Sequence, residues 1–210
     1  MYKKILGLKQ LEKMQFPVPP YQVIDITSDK PFDVQKYISN AIEKVKIPHE
    51  PGNRIGVTIR VSMPGPLDKL TKHGGLHVTE KEEIIKRIIG KYQQYGPNSK
   101  IIIQHTVDAR CSGAIIREDD YCVLEAIPGD APLLLEGQAA SYEKWLFFLK
   151  SGKWIKEKVY QIGENKKVVL FSRDLQKFEE YIKALPRKAY LEWSISKLGE
   201  LFFYEYCKLK

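Results

Sequence analysis

The C-terminal end of the chain limits its fold most sharply. Two aromatic runs, Tyr190-Leu-Glu-Trp-Ser-Ile195 and Leu201-Phe-Phe-Tyr-Glu-Tyr206, flank a short turn at Lys197-Leu-Gly199. Aromatic and β-branched residues on both sides of a glycine turn specify a β-hairpin. Alternation places Leu191, Trp193 and Ile195 on one face of the first strand and Tyr190, Glu192 and Ser194 on the other. In the second strand the same rule puts Leu201, Phe203 and Glu205 on a common face. A loop from Lys197 to Glu200 sets Glu192 opposite Glu205. Directly opposed carboxylates repel. Such a pair fits either a solvated face or a divalent cation held between the acids, and Mg²⁺ is the hard cation that usually arrives with phosphate.

The remaining segments alternate between helical and strand periods. Residues 4–15 carry Ile5, Leu8, Leu11 and Met14 at helical spacing, ended by Pro17-Val-Pro-Pro20. Tyr21–Ile26 reads as a strand, and residues 33–46 as a helix with the stripe Val34, Ile38, Ala41, Ile42 and Val45. Ile55–Ser62 alternates cleanly, with Ile55, Val57, Ile59 and Val61 on one side and Thr58, Arg60 and Ser62 on the other. Arg60 beside Ser62 is an anion-binding combination, because guanidinium offers a rigid donor fork to phosphate. A Gly/Pro-rich loop, Met63 to His77, follows. Its His73 and His77 have no visible third metal ligand, while Gly74 and Gly75 allow backbone amides near an anion.

Thr79-Glu-Lys-Glu82 has the form of a capping box, opening a helix to about Tyr95 with Ile84, Ile85, Ile88 and Ile89 inward. Lys100–Val107 is a buried strand, and Cys111–Ile116 with Tyr121–Ile127 forms an antiparallel pair around Arg117–Asp120. Lys153–Ile162 and Lys166–Phe171 read as a further hairpin across Gly163. Asp174 begins a last helix to Leu185 with Leu175, Phe178 and Ile182 inward.

The 210 residues suffice for one sizeable domain or two lobes, with no stretch near the roughly 20 apolar residues of a membrane span. Three cysteines without C-x-x-C spacing indicate a reduced, cytoplasmic protein with no structural zinc. A net charge of +8 suits an anionic ligand such as a nucleotide, and also nucleic acid. The lysines are scattered, and no RNA-binding motif accompanies them.

Several of these segments resemble, in order, the ATP-binding domain of the phosphoenolpyruvate synthase and pyruvate phosphate dikinase family. The closing hairpin is similar to that family's Asp-Ile-Glu-Trp, glycine turn and Leu-Tyr-Ile-Leu-Gln-x-Arg. Glu192 matches the Glu, Glu205 stands at the Gln, Tyr190 replaces the Asp and Cys207 the Arg. The opening resembles Gly-Gly-Lys, a helix and Pro-Val-Pro-Pro; Lys4 matches the lysine, while Tyr2 and Lys3 replace the glycines. Arg60 and Ser62 match the Val-Arg-Ser-Ser-Ala strand, and Gln104 to Val107 the Gln-x-Met-Val strand beside the adenine. Ser112-Gly113 and Glu125 match the Ser-Gly strand and the Glu that follows it; Pro132 replaces an acid.

The resemblance implies an α+β, ATP-grasp-like domain of antiparallel sheets and packed helices over residues 1–210, with lobes near 1–98 and 99–210. It implies ATP phosphates on Lys4, Arg60 and Ser62, an adenine and ribose region at Gln104, Thr106, Val107 and Glu125, and Mg²⁺ on Glu192 and Glu205. It further implies phosphoryl transfer to an acceptor or a separate phosphocarrier protein. That family's carrier histidine domain and pyruvate-binding barrel do not appear in these residues, so the complete reaction is not expected of this chain. A non-catalytic nucleotide sensor or interaction subunit, a basic nucleic-acid binder, and ATP-dependent carboxylate ligation are the alternatives.

Overall fold

The computed structural model describes residues 2–25, 31–48, 54–70, 74–130, 143–157 and 168–209. The chain divides into two compact units. The first comprises Met1–Lys9 and Pro19–Val107, the second Gln10–Val18 and Asp108–Lys210. The division thus falls after Val107, not near residue 98. Lys100–Val107 belongs with the first unit because it pairs with strands on both sides there.

The first unit holds a four-stranded antiparallel sheet. Its strands are β1 (Tyr21–Asp25), β2 (Arg54–Ser62), β3 (Gly74–Val78) and β4 (Lys100–Val107), in the order β1-β4-β2-β3. Helices α2 (Pro31–Val45) and α3 (Lys81–Tyr95) supply Ile38, Ile42, Val45, Ile84 and Ile88 to a cluster with Ile24, Val57, Ile59, Val61, Ile101 and Ile103. All lie on the odd-numbered face of β2 and β4 where those strands contribute, as alternation requires. Each such side chain contributes on the order of 1.5–3 kcal/mol on burial. Helix α1 (Lys3–Lys13) runs from the first unit into the second.

The capping box expected at Thr79 does not form. Helix α3 starts at Lys81, so Glu80 is the N-cap, and it makes no side-chain capping bond. Thr79 lies one residue too early, and its hydroxyl instead donates to Glu80 Oε1 at 3.4 Å. Glu82 and Glu83 in the first turn complement the helix dipole.

The second unit holds a six-stranded antiparallel sheet. Its strands are β5 (Ala109–Arg117), β6 (Tyr121–Pro128), β7 (Glu143–Phe148), β8 (Lys153–Glu157), β9 (Ala189–Ser196) and β10 (Leu201–Lys208), in the order β10-β9-β5-β6-β7-β8. Helix α4 (Ser172–Ala184) packs Leu175, Phe178 and Ile182 into a cluster with Leu124, Phe147, Leu191, Trp193 and Phe203. Phe178 meets Trp193 edge-on at 4.8 Å between ring centroids. Gly113 lies across from Trp193, and a Cβ built on it would stand 1.8 Å from the Glu125 carbonyl oxygen. Only glycine fits there. At the hairpin turn Gly199 has φ +84, a conformation that a side chain disfavours.

Strand β7 was not foreseen from the sequence, and it takes the partner role expected of Lys166–Phe171. Lys153–Glu157 pairs with Glu143–Phe148. Of the expected hairpin, residues 158–167 lie outside the described residues, and Val168–Phe171 is extended chain without strand pairing. The reason is the buried Glu143 carboxylate, which accepts the amides of Val169 and Leu170, both at 3.1 Å. Lys156 Nζ and Trp145 Nε1 also donate to it, at 2.6 and 3.2 Å. Burial is the largest influence on Glu143 and raises its pKa, but these four donors together hold it below the usual carboxylate value. Asp174, expected to open the last helix, sits within its first turn instead, and its carboxylate accepts the Phe171 amide and Arg110 Nη2.

Candidate functional site

In the first unit the residues expected at phosphate converge on one face of the sheet. Thr58, Arg60 and Ser62 alternate along β2, opposite Gln104, Ile102 and Lys100 of β4. Arg60 is 3% exposed, and its Nη1 donates to Gln104 Oε1 at 3.4 Å. Lys4, also buried, donates from Nζ to the carbonyl of Val61, the residue between Arg60 and Ser62, at 3.1 Å. Two cationic side chains are therefore gathered around one stretch of strand.

Two uncharged polar atoms in this group are exceptional. Among the described residues Ser62 Oγ and Gln104 Nε2 are buried with no hydrogen-bond partner. Ser62 is 0% and Gln104 1% exposed. An unpaired buried polar group costs on the order of 1–3 kcal/mol, so its retention calls for a role. Beside an arginine and a lysine, that role fits an anionic, hydrogen-bonding ligand.

Thr106 is occupied within the sheet: its hydroxyl lies 2.6 Å from that of Thr58. Val107 falls on the opposite side of β4 from Gln104 and Thr106 by alternation, so it offers this face only its backbone. The sequence reading missed Thr58 as the partner of Thr106. Its place two residues before Arg60, on the same face of β2, is the signal that could have found it.

Pro132 lies outside the described residues, as does His73. His77 is exposed.

In the second unit the acids line up across the sheet. Glu205 pairs with Glu192, Glu192 with Ala114, Ala114 with Glu125, and Glu125 with Lys144. Directly opposed residues share a face, so Glu205, Glu192 and Glu125 form one row on the face away from Trp193. All three are half-buried.

The opposition of Glu192 and Glu205 agrees with expectation, but the common face expected for Phe203 and Glu205 does not occur. Phe203 pairs with Trp193 on the core side. The register shifts between Phe203 and Glu205, a β-bulge that takes up Tyr204 and carries Glu205 to the other face. Period-2 counting cannot anticipate such an inserted residue.

Tyr190, two residues before Glu192 on the same face, donates its hydroxyl to Glu192 Oε1 at 3.1 Å. Burial is the largest cause raising the Tyr190 pKa, followed by the Glu192 charge, so the phenol keeps its proton and stays a donor.

Among the described residues no group of three or more His, Cys, Asp or Glu is gathered closely enough to hold a metal alone. The facing pair Glu192 and Glu205 nevertheless suits Mg²⁺, which commonly takes one or two carboxylates and completes its shell with phosphate and water.

No protein-family model and no curated protein matches the sequence. Solved structures do match. The D-alanine–D-alanine ligase of Helicobacter pylori aligns with a TM-score of 0.53 at 12% identity, over 100% of this chain and 54% of the ligase. The ADP complex of the PurK N5-carboxyaminoimidazole ribonucleotide synthetase aligns with a TM-score of 0.53 at 10% identity, over 100% of this chain and 45% of the other. The ATP-grasp RimK domain protein of Sphaerobacter thermophilus gives 0.51 at 11% identity, over 99% and 59%. The fold is ATP-grasp. The chain spans about half the length of these ATP-grasp structures, and the likeness is one of fold. No helix among the described residues is long and apolar enough to cross a membrane.

Proposed function

We propose that this ATP-grasp chain binds Mg–ATP and uses it for phosphoryl transfer to an acceptor or partner protein, as its resemblance to the phosphoenolpyruvate synthase nucleotide domain implies. The observation that carries the reading is the buried group Arg60, Ser62 and Gln104, with two polar atoms left without partners beside a guanidinium. Lys4, Arg60 and Ser62 would neutralise and hydrogen-bond the phosphates. Gln104, Thr106, Val107 and Glu125 would border the adenine and ribose. Glu192 and Glu205 would hold Mg²⁺, which when bound draws charge from the phosphate oxygens.

The work asked of the protein is positioning and electrostatics. A nucleophilic atom of the acceptor bonds to the γ-phosphorus while the bond from that phosphorus to the β–γ bridging oxygen breaks, and ADP leaves with the bonding electron pair. Arg60 and Lys4 meet negative charge on the transferred group, and their burial strengthens that attraction relative to water.

Calorimetric titration with ATP, with and without Mg²⁺, tests the reading. Mg²⁺-dependent binding is expected. Arg60→Ala should weaken ATP about 10- to 100-fold in either condition, the loss of a hydrogen bond to a charged group. Glu192→Gln should remove the Mg²⁺-dependent part alone. No ATP binding by the wild type sinks the proposal.

The matched structures include ligases, which favours a second reading in which the phosphoryl acceptor is a carboxylate. ADP release that depends on an added carboxylic acid, with an amine as second substrate, would select it.

A further inference from the structure

We propose that Lys100 is a further phosphate-binding residue that meets the terminal phosphoryl group, so that the site prefers a nucleoside triphosphate to a diphosphate. The inference rests on the nucleotide reading and names the residue that would tell the two ligands apart.

Lys100 lies directly across from Ser62 of β2 and from Asp25 of β1, so these side chains share the face that carries Arg60. Its ammonium group is ion-paired with the Asp25 carboxylate and stands 4.9 Å from the centre of the Tyr2 ring. Tyr2 is fixed in turn: its hydroxyl donates to the Asn98 carbonyl at 3.0 Å, and its backbone bridges to Pro64. The Lys100 side chain is 25% exposed. An ammonium group has three N–H donors, so one bond to Asp25 does not exhaust it. Across from it, Ser62 Oγ is buried without a hydrogen-bond partner.

The start of α1 reaches the same place. The Tyr2–Pro64 bridge and the bond from Lys4 to the Val61 carbonyl seat its first turn beside residues 61–64. That turn carries Lys3 and Lys4 and no acid. Cations there run against the helix dipole, which favours an anion at the N-terminus. Position along the strand says which phosphate belongs here. Gln104, on the nucleoside side of the reading, is four residues from Lys100 on β4. At the rise of a strand that is about 13 Å. Arg60 lies between the two, opposite Ile102. A nucleotide with its base toward Gln104 therefore brings its last phosphate to Lys100 and Ser62.

The test titrates the wild type, Lys100→Met and Asp25→Asn with ATP and with ADP by calorimetry in Mg²⁺. The wild type should prefer ATP. Lys100→Met should weaken ATP about tenfold, the loss of a hydrogen bond to a charged group, and leave ADP affinity nearly unchanged. Asp25→Asn removes a negative charge beside the incoming phosphate and should tighten ATP about threefold, the scale of an exposed ion pair. Both substitutions break the same ion pair, so a purely structural role would move ATP affinity in the same direction in both. A wild type that binds ATP and ADP equally, a Lys100→Met protein that loses both ligands to the same extent or neither, or an Asp25→Asn protein that binds ATP more weakly overturns the inference while the nucleotide reading stands. Absence of any ATP binding by the wild type overturns both.

Discussion

Each sheet sets one face against an apolar cluster and places polar side chains on the other, but the polar faces differ in sign and in manner of burial. In the first unit the face carries Lys4, Arg60, Ser62 and Gln104, all nearly inaccessible. In the second it carries Glu125, Glu192 and Glu205, all half-exposed. A buried cation with unpaired polar neighbours is costly unless an anion completes it. The first face leaves Ser62 Oγ and Gln104 Nε2 without hydrogen-bond partners, whereas on the second Tyr190 donates to Glu192 and Lys144 stands in register with Glu125.

The largest test of this contrast removes the second sheet's geometry. Gly113→Ala places a methyl 1.8 Å from the Glu125 carbonyl oxygen and 2.8 Å from the Trp193 ring. A cost of about 3 kcal/mol or more is expected from overpacking, read by chemical denaturation. The accompanying loss should fall on Mg²⁺-dependent ATP binding, leaving Mg²⁺-free binding to the first face. If both fall together, the faces are not separable as described.

Next in size is Glu143→Gln, which should cost about 2 kcal/mol because a charged acceptor of four donors becomes neutral. It also has a pH signature. The folded pKa of Glu143 is lowered, so its contribution is fully present above the unfolded value and is lost as pH falls through the folded one. Wild-type stability should therefore drop more steeply below about pH 4.3 than that of the variant. Parallel acid profiles would remove Glu143 as the source.

Smaller still are the two hydroxyl pairs, one on each polar face. Thr58→Val and Ser112→Ala should each cost about 1 kcal/mol. Only Thr58→Val should alter ATP affinity without Mg²⁺, since Thr58 lies on the face of Arg60. An equal effect of both variants on that affinity would erase the distinction between the faces. The mildest probe is thiol labelling. Burial pushes Cys111 and Cys122 up to about 12, so at pH 8 only the half-buried Cys207 should react in the native protein.

Alternation made much of this legible. The faces of β2 and β9 follow directly from residues 57–62 and 190–195, because period-2 patterning on a half-buried strand has one solution. The ATP-grasp fold was likewise readable from the order of short motifs. Strand β7 was not, since Glu143 and Lys144 at its start mask an aromatic run that pairs on both edges. Nor was the course of Val168–Phe171, which depends on a carboxylate 26 residues away in sequence from Val169. Of the candidate site, the grouping of Lys4 with Arg60 and Ser62 followed from motif order. The vacancy of hydrogen bonding at Gln104 Nε2 is a three-dimensional fact with no sequence signature.

The bulge at Tyr204 also bears on how this hairpin changes through descent. Upstream of it strand β10 is read in one frame, and downstream in another. Deleting the Tyr204 codon would restore the regular register and leave Glu205 opposite Glu192, whereas closing the bulge without a deletion would bring Tyr204 opposite Glu192 and turn Glu205 toward the apolar cluster. The face on which this acid falls is thus set by the bulge and not by the residue alone. An alignment that forbids a gap beside residue 204 would compare Glu205 with core positions of its relatives.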